Sequence, residues 1–354
     1  MMENNRLYVD FHVLQTVPPS CVNRDDTGRP KTAVYGGVNR ARVSSQAWKH
    51  AMRGMFCEMF SDEKLGYRTK HAADLIESEL KKLDPEIGDE KAAKDAADAL
   101  ALAGLKVNEK KGNVTGALFF ISSVQAKKLA ELKNSGEKDK KLYKKALKDA
   151  PSIDIALFGR MAADDADLNV DAASQVAHSI STHAIQNEYD YFTAVDDCSP
   201  EDNAGAGHLG TMEFNSATLY RYATVNAADL RGTIGEDTAD AVRGFADAFI
   251  RSMPTGKQNS YANRTLPDVV YVTIRKDQPV NMSGAFERAV SGRDGYVEKS
   301  AKALFDYAGK VYDNYCTEPV KSFVVGCDSV LGAEKVRIDE LLDSLREFIS
   351  NEVI

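Results

Sequence analysis

The order of apolar and polar positions divides this chain into stretches of period two and stretches of period three to four. Leu7-Tyr8-Val9-Asp10-Phe11-His12-Val13-Leu14 sets Val9, Phe11 and Val13 on one side and predicts a strand. A loop rich in Pro, Gly, Asn and Asp follows from Pro18 to about Arg42, and Ser44-Ser45 offer N-caps for a helix. In that helix Trp48, Met52, Met55 and Met59 recur at i, i+4, i+7 and i+11, a buried stripe. Lys49 and Arg53 fall beside it on the exposed side. Residues from about 62 to 150 are Ala-, Lys- and Glu-rich and broken at Pro85, Gly88, Gly104 and Gly112, which predicts an inserted helical subdomain.

After the insert the pattern predicts a strand over Ile153–Phe158 ending at Gly159, and a helix from about Asp171 to Asn187. An extended segment Tyr191–Val195 and an acidic, Gly-rich loop to Gly210 lead into a long strand through Ala217–Ala223. The remainder reads as a helix around 238–252, a strand Val269–Ile274 and helices near 283–291 and 298–315. A strand Phe323–Val325 and a final helix 334–351 close it. Strands alternating with helices in this way define an α+β sandwich of ferredoxin-like type, elaborated by insertions.

Composition narrows the class. At 354 residues, 43% hydrophobic and 28% charged, the chain is long enough for two domains or one large one and is globular in composition. No apolar run approaches the ~18–20 residues of a membrane span. The first residues lack the basic start and apolar stretch of a secretory signal, so a cytoplasmic location is expected and the Asn113 and Asn263 glycosylation triplets are chance matches. Five isolated cysteines without a Cys-x-x-Cys argue against a zinc ribbon, an iron–sulfur site or a disulfide framework. His178 and His183 are five apart and do not share a helix face. No metal or cofactor is expected.

The candidate catalytic patterns fail on context. Gly205-Ala206-Gly207-His208-Leu209-Gly210 fits G-x-G-x-x-G, but the acids Asp196, Asp197, Glu201 and Asp202 precede it and a strand-like run follows. A dinucleotide fingerprint needs a strand before and a helix after, so the segment reads as a hairpin tip. Asp164-Asp165-Ala166-Asp167 reads as a solvated acidic cluster, and no Ser or Cys sits in a nucleophile elbow.

Charge is unevenly spread. The formal net charge is −8, yet residues 1–53 carry +4 and residues 127–148 carry +6. An acidic chain with two concentrated basic segments can hold a polyanion in one place and repel it elsewhere. In the first segment Gly36-Gly37 allow close backbone approach. Arg40 and Arg42 alternate along an extended stretch, and Ser44-Ser45-Gln46 open a helix whose dipole and exposed amides favour an anion. Lys49 and Arg53 are a like-charged i, i+4 pair that a phosphate backbone would neutralise. In the second segment Lys140, Lys144 and Lys148 fall four apart with Lys141 and Lys145 beside them, a stripe suited to loose backbone contact.

Ser20-Cys21-Val22-Asn23-Arg24-Asp25-Asp26 and Tyr35-Gly36-Gly37-Val38-Asn39-Arg40-Ala41-Arg42-Val43-Ser44-Ser45-Gln46 closely resemble the CasC family. That family is the repeated backbone subunit of the Cascade surveillance complex of type I-E CRISPR systems. The resemblance continues through Asp154–Ala162, Tyr191–Asp197, His208–Phe214 and Gly256-Lys257-Gln258, in family order. It implies a right-hand shape: an RNA-recognition-like palm (1–60, 151–187 and 216–354), helical fingers (61–150) and a β-hairpin thumb (188–215).

It also implies copies assembled head-to-tail on a CRISPR RNA, with target DNA and other Cascade subunits as partners and no membrane. Arg24, Arg42, Ser44, Gln46, Lys49 and Lys257 would hold the RNA backbone, joined on the residue pattern by Arg40, Ser45 and Arg53. Met161, Phe192 and Thr193 would wedge beside a nucleotide, and the lysines at 140, 141, 144, 145 and 148 would lie near target DNA. Family members often carry a basic residue two after the Gln of Lys-Gln, where this chain has Asn259-Ser260. The function implied is a non-catalytic RNA scaffold in antiviral defence. The alternatives are a ribonuclease of the same wider superfamily and a structural protein that binds only other proteins.

Overall fold

Thirteen residues, Tyr8–Ser20, form β1, which lies at the middle of a sheet and is hydrogen-bonded along both edges. The computed structural model describes residues 6–194 and 208–352. The further strands are β2 (Thr32–Tyr35), β3 (Val38–Val43), β4 (Gly66–Thr69), β5 (Val107–Asn108), β6 (Val114–Thr115), β7 (Phe119–Ser122), β8 (Ser174–Val176), β9 (Ser179–Ser181), β10 (Glu188–Ala194), β11 (His208–Asn226), β12 (Val269–Arg275), β13 (Lys321–Val325) and β14 (Glu334–Lys335). The helices are α1 (Ser45–Met59), α2 (Ala72–Leu83), α3 (Asp89–Leu102), α4 (Ser123–Asn134), α5 (Lys140–Lys148), α6 (Ile153–Phe158), α7 (Ala227–Ile234), α8 (Thr238–Arg251), α9 (Gln258–Tyr261), α10 (Val297–Asn314) and α11 (Ile338–Glu352).

The large sheet runs β14-β13-β12-β1-β11-β9-β3-β2, with β8 and β10 also pairing with β11. All its pairs are antiparallel except β13–β14. Phe11 stands opposite Ala223 of β11 and Val272 of β12. Because side chains alternate across a strand, Val9, Phe11 and Val13 face a core shared with Phe245 and Phe249 of α8, Leu342 and Leu345 of α11, and Met52 and Phe56 of α1. Each fully buried Phe there contributes about 2 kcal/mol. The opposite face carries Asp10 and His12 among Tyr220, Tyr222 and Tyr271, closed over by Leu304 and Ala308 of α10 and by Met282 and Phe286. The fold is a mixed α/β architecture on one large sheet with helices against both faces.

Helices α2 to α5 enclose a separate interior that includes Ile76, Leu80, Leu100, Leu129 and Leu147. Guanidiniums join it to the sheet. Arg160 donates to the carbonyls of Leu168 (2.9 Å), Phe120 (3.2 Å) and Leu147 (2.8 Å). Arg53 of α1 pairs with Asp154 at 3.2 Å and donates to the Gly66 carbonyl at 3.0 Å.

Five local expectations are corrected. Ile153–Phe158 is a helix: a six-residue apolar run carries no period of its own, and here Gly159 at φ 78° ends a helical turn closed by its N–H on the Ile155 carbonyl. The segment 171–187 is not helical but supplies β8 and β9, because its hydroxyls are used in the sheet. Ser181 Oγ accepts from the Ala41 amide, and Ser179 Oγ from Trp48 Nε1. Between 283 and 291 only a 3-10 turn, Met282–Phe286, forms. The last helix starts at Ile338, after β14. The strand expected over 217–223 spans 208–226 and continues into a two-stranded ribbon with β10. Val195, the acids from Asp196 to Asp202, and Gly205-Ala206-Gly207 lie outside the described residues.

Candidate nucleic-acid interface

Helix α1 separates two clefts. Ser44 caps it, its Oγ accepting from the Ala47 amide at 3.3 Å, and its own amide is held by Asn23 Oδ1 at 2.9 Å. The first cleft, about 850 Å³, lies among the 22–28 loop, α1 and the 252–258 loop, with Arg24, His50, Glu58 and Arg264 in its walls. The second, about 550 Å³, is walled by α1, β4, β7 and the 158–172 segment. Into it face Gln46, Lys49, Arg53, Arg68, Phe158 and Met161. His50 borders both.

Lys49 is the electrostatic centre of the second cleft. It is half-buried, its ammonium lies 5.6 Å from the centre of the Phe158 ring, and among the described residues no carboxylate pairs with it. Burial pushes its pKa down. A cation partly stripped of water and without a counter-charge gains most from an arriving anion. Met161, 82% exposed, stands at the same cleft. Its neighbour Arg160 is fixed by the carbonyls given above.

Several predicted contacts are engaged elsewhere. Arg40 is fully buried and donates to the carbonyls of Tyr35, Ser181, Phe286 and Glu287, so it braces the β2–β3 hairpin and offers no charge to the surface. Ser44 is 4% exposed and serves as the cap. The Ser45 amide donates to His178 Nδ1 at 2.9 Å, so the first turn of α1 is already partly occupied. Arg53 finds its counter-charge in Asp154, with the Phe120 ring 4.6 Å below it. The expected repulsion between Lys49 and Arg53 is therefore relieved inside the chain.

The rest of the set stays accessible. Arg24 and Gln46 are exposed. Arg42 uses its Nε on the Thr32 carbonyl and lies close enough to His178, with Lys31, to push that imidazole's pKa down after burial has done most of it. Lys257, at φ 52°, has its ammonium 3.2 Å from Met212 Sδ, at the foot of the β10–β11 ribbon. On the ribbon Phe192 stands opposite Gly210, where a Cβ would fall 2.4 Å from its ring, and Thr193 is exposed. Neither cleft includes Phe192 or Thr193, whereas Met161 lines the second.

On α5, Tyr143, Ala146 and Leu147 are buried while Lys140, Lys141, Lys145 and Lys148 are exposed. Lys144 departs from that stripe, pairing with Asp165 at 2.5 Å. Asp165 is thereby neutralised and Asp164 accepts the Lys106 amide. Among the described residues no group of three His, Cys, Asp or Glu is placed to hold a metal ion. Sequence reasoning missed Arg68 and Arg264, which only the fold carries to the clefts, and Lys31 and His178, which it sets beside Arg42 and the start of α1; each is an isolated polar residue without a pattern.

The comparisons agree with this architecture. A family model described as CT1975-like protein matches residues 9–351. A subunit of a "CRISPR RNA-guided surveillance complex, pre-nicking" superposes with a TM-score of 0.82 at 31% identity, covering 97% of this chain and all of that one. A subunit of a "CRISPR RNA-guided surveillance complex" gives a TM-score of 0.63 at 29% identity, covering 96% and 99%. No curated protein matches. The chain belongs to the CT1975-like family, whose members are backbone proteins of the CasC type. No helix among the described residues is long and apolar enough to cross a membrane.

Proposed function

We propose that this chain is a non-catalytic scaffold that holds CRISPR RNA in a type I-E Cascade and presents it to target DNA in the cytoplasm. The observation that carries this is Lys49, a partly desolvated ammonium that no carboxylate among the described residues pairs with, in a cleft that Gln46, Arg68 and the exposed Met161 also line. Arg24, Arg42, Gln46, Lys49 and Lys257 take successive phosphodiesters, with Lys31 and Arg68 added and Arg40 removed. Sequence is then read by base pairing while the protein reads backbone and shape.

In this reading the sheet is an RNA-recognition-like palm, α2–α5 are the fingers and the β10–β11 ribbon is the thumb. Met161 lines the second cleft, and the ribbon residues Phe192 and Thr193 line neither. That separation suits a head-to-tail array in which the ribbon of one copy meets the Met161 cleft of the next. The four open lysines of α5 face target DNA.

The test is RNA binding by the purified chain across a salt series. Affinity falls steeply as salt rises, and replacing Arg42 and Lys49 together abolishes most of it. Affinity that is flat in salt, or that survives the double replacement, refutes the assignment. Incubating the assembled complex with labelled RNA tests the ribonuclease alternative, which predicts cleavage products that vanish on replacing an Asp or His.

A further inference from the structure

Arg24 sits on a loop that is closed on itself. Arg24 and Pro30 bridge across it, and Asp25 Oδ1 accepts from the amides of Thr27 and Arg29, each at 2.9 Å, and from the Thr27 hydroxyl at 2.8 Å. One leg is tied to α1 through Asn23 Oδ1 and the Ser44 amide. The 252–258 loop abuts its start: a Cβ on Gly256 would fall 2.0 Å from the Val22 carbonyl oxygen. The other leg is tied to the ribbon. Arg29 Nε meets Glu213 Oε1 at 2.8 Å, with the arginine side chain 64% exposed and the glutamate only 12%. The second glutamate oxygen accepts from Asn187 Nδ2 at 3.0 Å, and Asn187 Oδ1 accepts from Asn215 Nδ2 at 3.1 Å.

Glu213 faces Tyr189 across the base of the ribbon, and three residues further along β11 Gly210 faces Phe192. At strand rise that is about 10 Å. A two-stranded ribbon held by its ladder alone twists readily. A carboxylate held by Arg29 on one oxygen and by Asn187 on the other resists that twist, because rotating the ribbon draws it away from a cation fixed in a closed loop. With Arg29 largely exposed, the pair biases the ribbon's position without being needed for the fold.

We propose that the Arg29–Glu213 pair is a positioning clasp. It sets the spacing between the Arg24 guanidinium, which takes an RNA phosphate, and the ribbon residues that part the bases. The inference rests on the scaffold reading above and goes beyond it, since neither clasp residue is among those assigned to the RNA backbone or the bases. Any movement of Arg29 is passed through the rigid Asp25 turn to Arg24, so grip and wedge keep one distance in every copy.

The test uses the full chain assembled on guide RNA, with Arg29→Ala, Glu213→Gln, and the exchange Arg29→Glu with Glu213→Arg. RNA content, melting temperature and the nuclease footprint are read on each. Both single variants keep the RNA content and melting temperature of the wild type. The contrast between protected and cleaved positions falls by a factor of about three, the population shift that loss of one partly exposed ion pair brings. The exchange restores the contrast. Unchanged footprints in the single variants overturn the clasp, as does an exchange that restores nothing. Contrast lost together with RNA content and melting temperature also overturns it, because the pair then supports the fold alone. Wild-type chains that carry no RNA overturn the scaffold reading and the clasp with it, a result distinguishable from unchanged footprints on bound RNA.

Discussion

Asp10 and His12 lie two apart on the tyrosine-lined face of β1, both fully buried. Tyr222 donates to Asp10 at 3.0 Å, the Val280 amide donates to it at 2.8 Å, and His12 Nδ1 shares a proton with the Tyr220 hydroxyl at 2.9 Å. Burial pushes the Asp10 carboxyl up from 3.8 to about 6, against those hydrogen bonds and Arg275. Burial, with Arg275 adding to it, pushes His12 down from 6.5 to about 3. Between about pH 4 and 6 the folded chain therefore holds a proton on Asp10 that the unfolded chain has lost. In the same window the unfolded chain holds a proton on His12 that the folded chain refuses.

The first effect makes stability fall with rising pH and the second makes it rise, each by about 1.4 kcal/mol per pH unit. Together they cancel. Asp10→Asn removes the falling contribution, so relative to wild type its stability climbs by about 2 kcal/mol from pH 4 to 6. His12→Asn removes the rising one, and its stability relative to wild type drops by about the same amount. Denaturant unfolding of the three chains at pH 4, 5 and 6 measures this, and taking differences from wild type cancels the other carboxylates. Two variants whose difference from wild type is constant over that range would refute the opposed-titration argument.

Lys49→Met should lower the slope of log affinity against log salt by about 0.7, one single-strand phosphate contact, which is about fourfold in affinity at 0.15 M salt. Its melting temperature should not fall, because a desolvated ammonium is removed; a salt titration with an unaltered slope contradicts the assignment. Arg40→Met should cost about 3 kcal/mol or more by leaving buried carbonyls without donors, read as a lowered denaturant midpoint. Gly210→Val places side-chain atoms where the Phe192 ring lies and should shift the footprint period while leaving RNA affinity of the lone chain near wild type. A footprint identical to wild type counts against the wedge.

The long periodic elements were readable: the Val9, Phe11, Val13 face, the Trp48 and Met52 stripe, the amphipathic α8, α10 and α11, and the all-buried β12. The errors fall where periodicity is too short to speak, as in Ile153–Phe158, or where side-chain hydroxyls replace apolar contacts, as at Ser179 and Ser181. At the site, residue type located the basic segment but not the direction of each cation. Arg40 and Arg42 differ by two positions, which in a strand is the same face, yet Arg40 is drawn under the 282–287 turn while Arg42 stays half-exposed. Asp154, 101 residues from Arg53, gives no local sign that it is the counter-ion.

Arg160 and Arg53 join two hydrophobic interiors, and they do so mostly through main-chain oxygens, with one carboxylate and the Gln125 side-chain oxygen besides. A seam of that kind tolerates exchange of much of what lies beyond it, since most of its acceptors are backbone carbonyls, present whatever the side chains. The α2–α5 bundle is then open to changes of length or charge that leave the sheet beneath it unaltered.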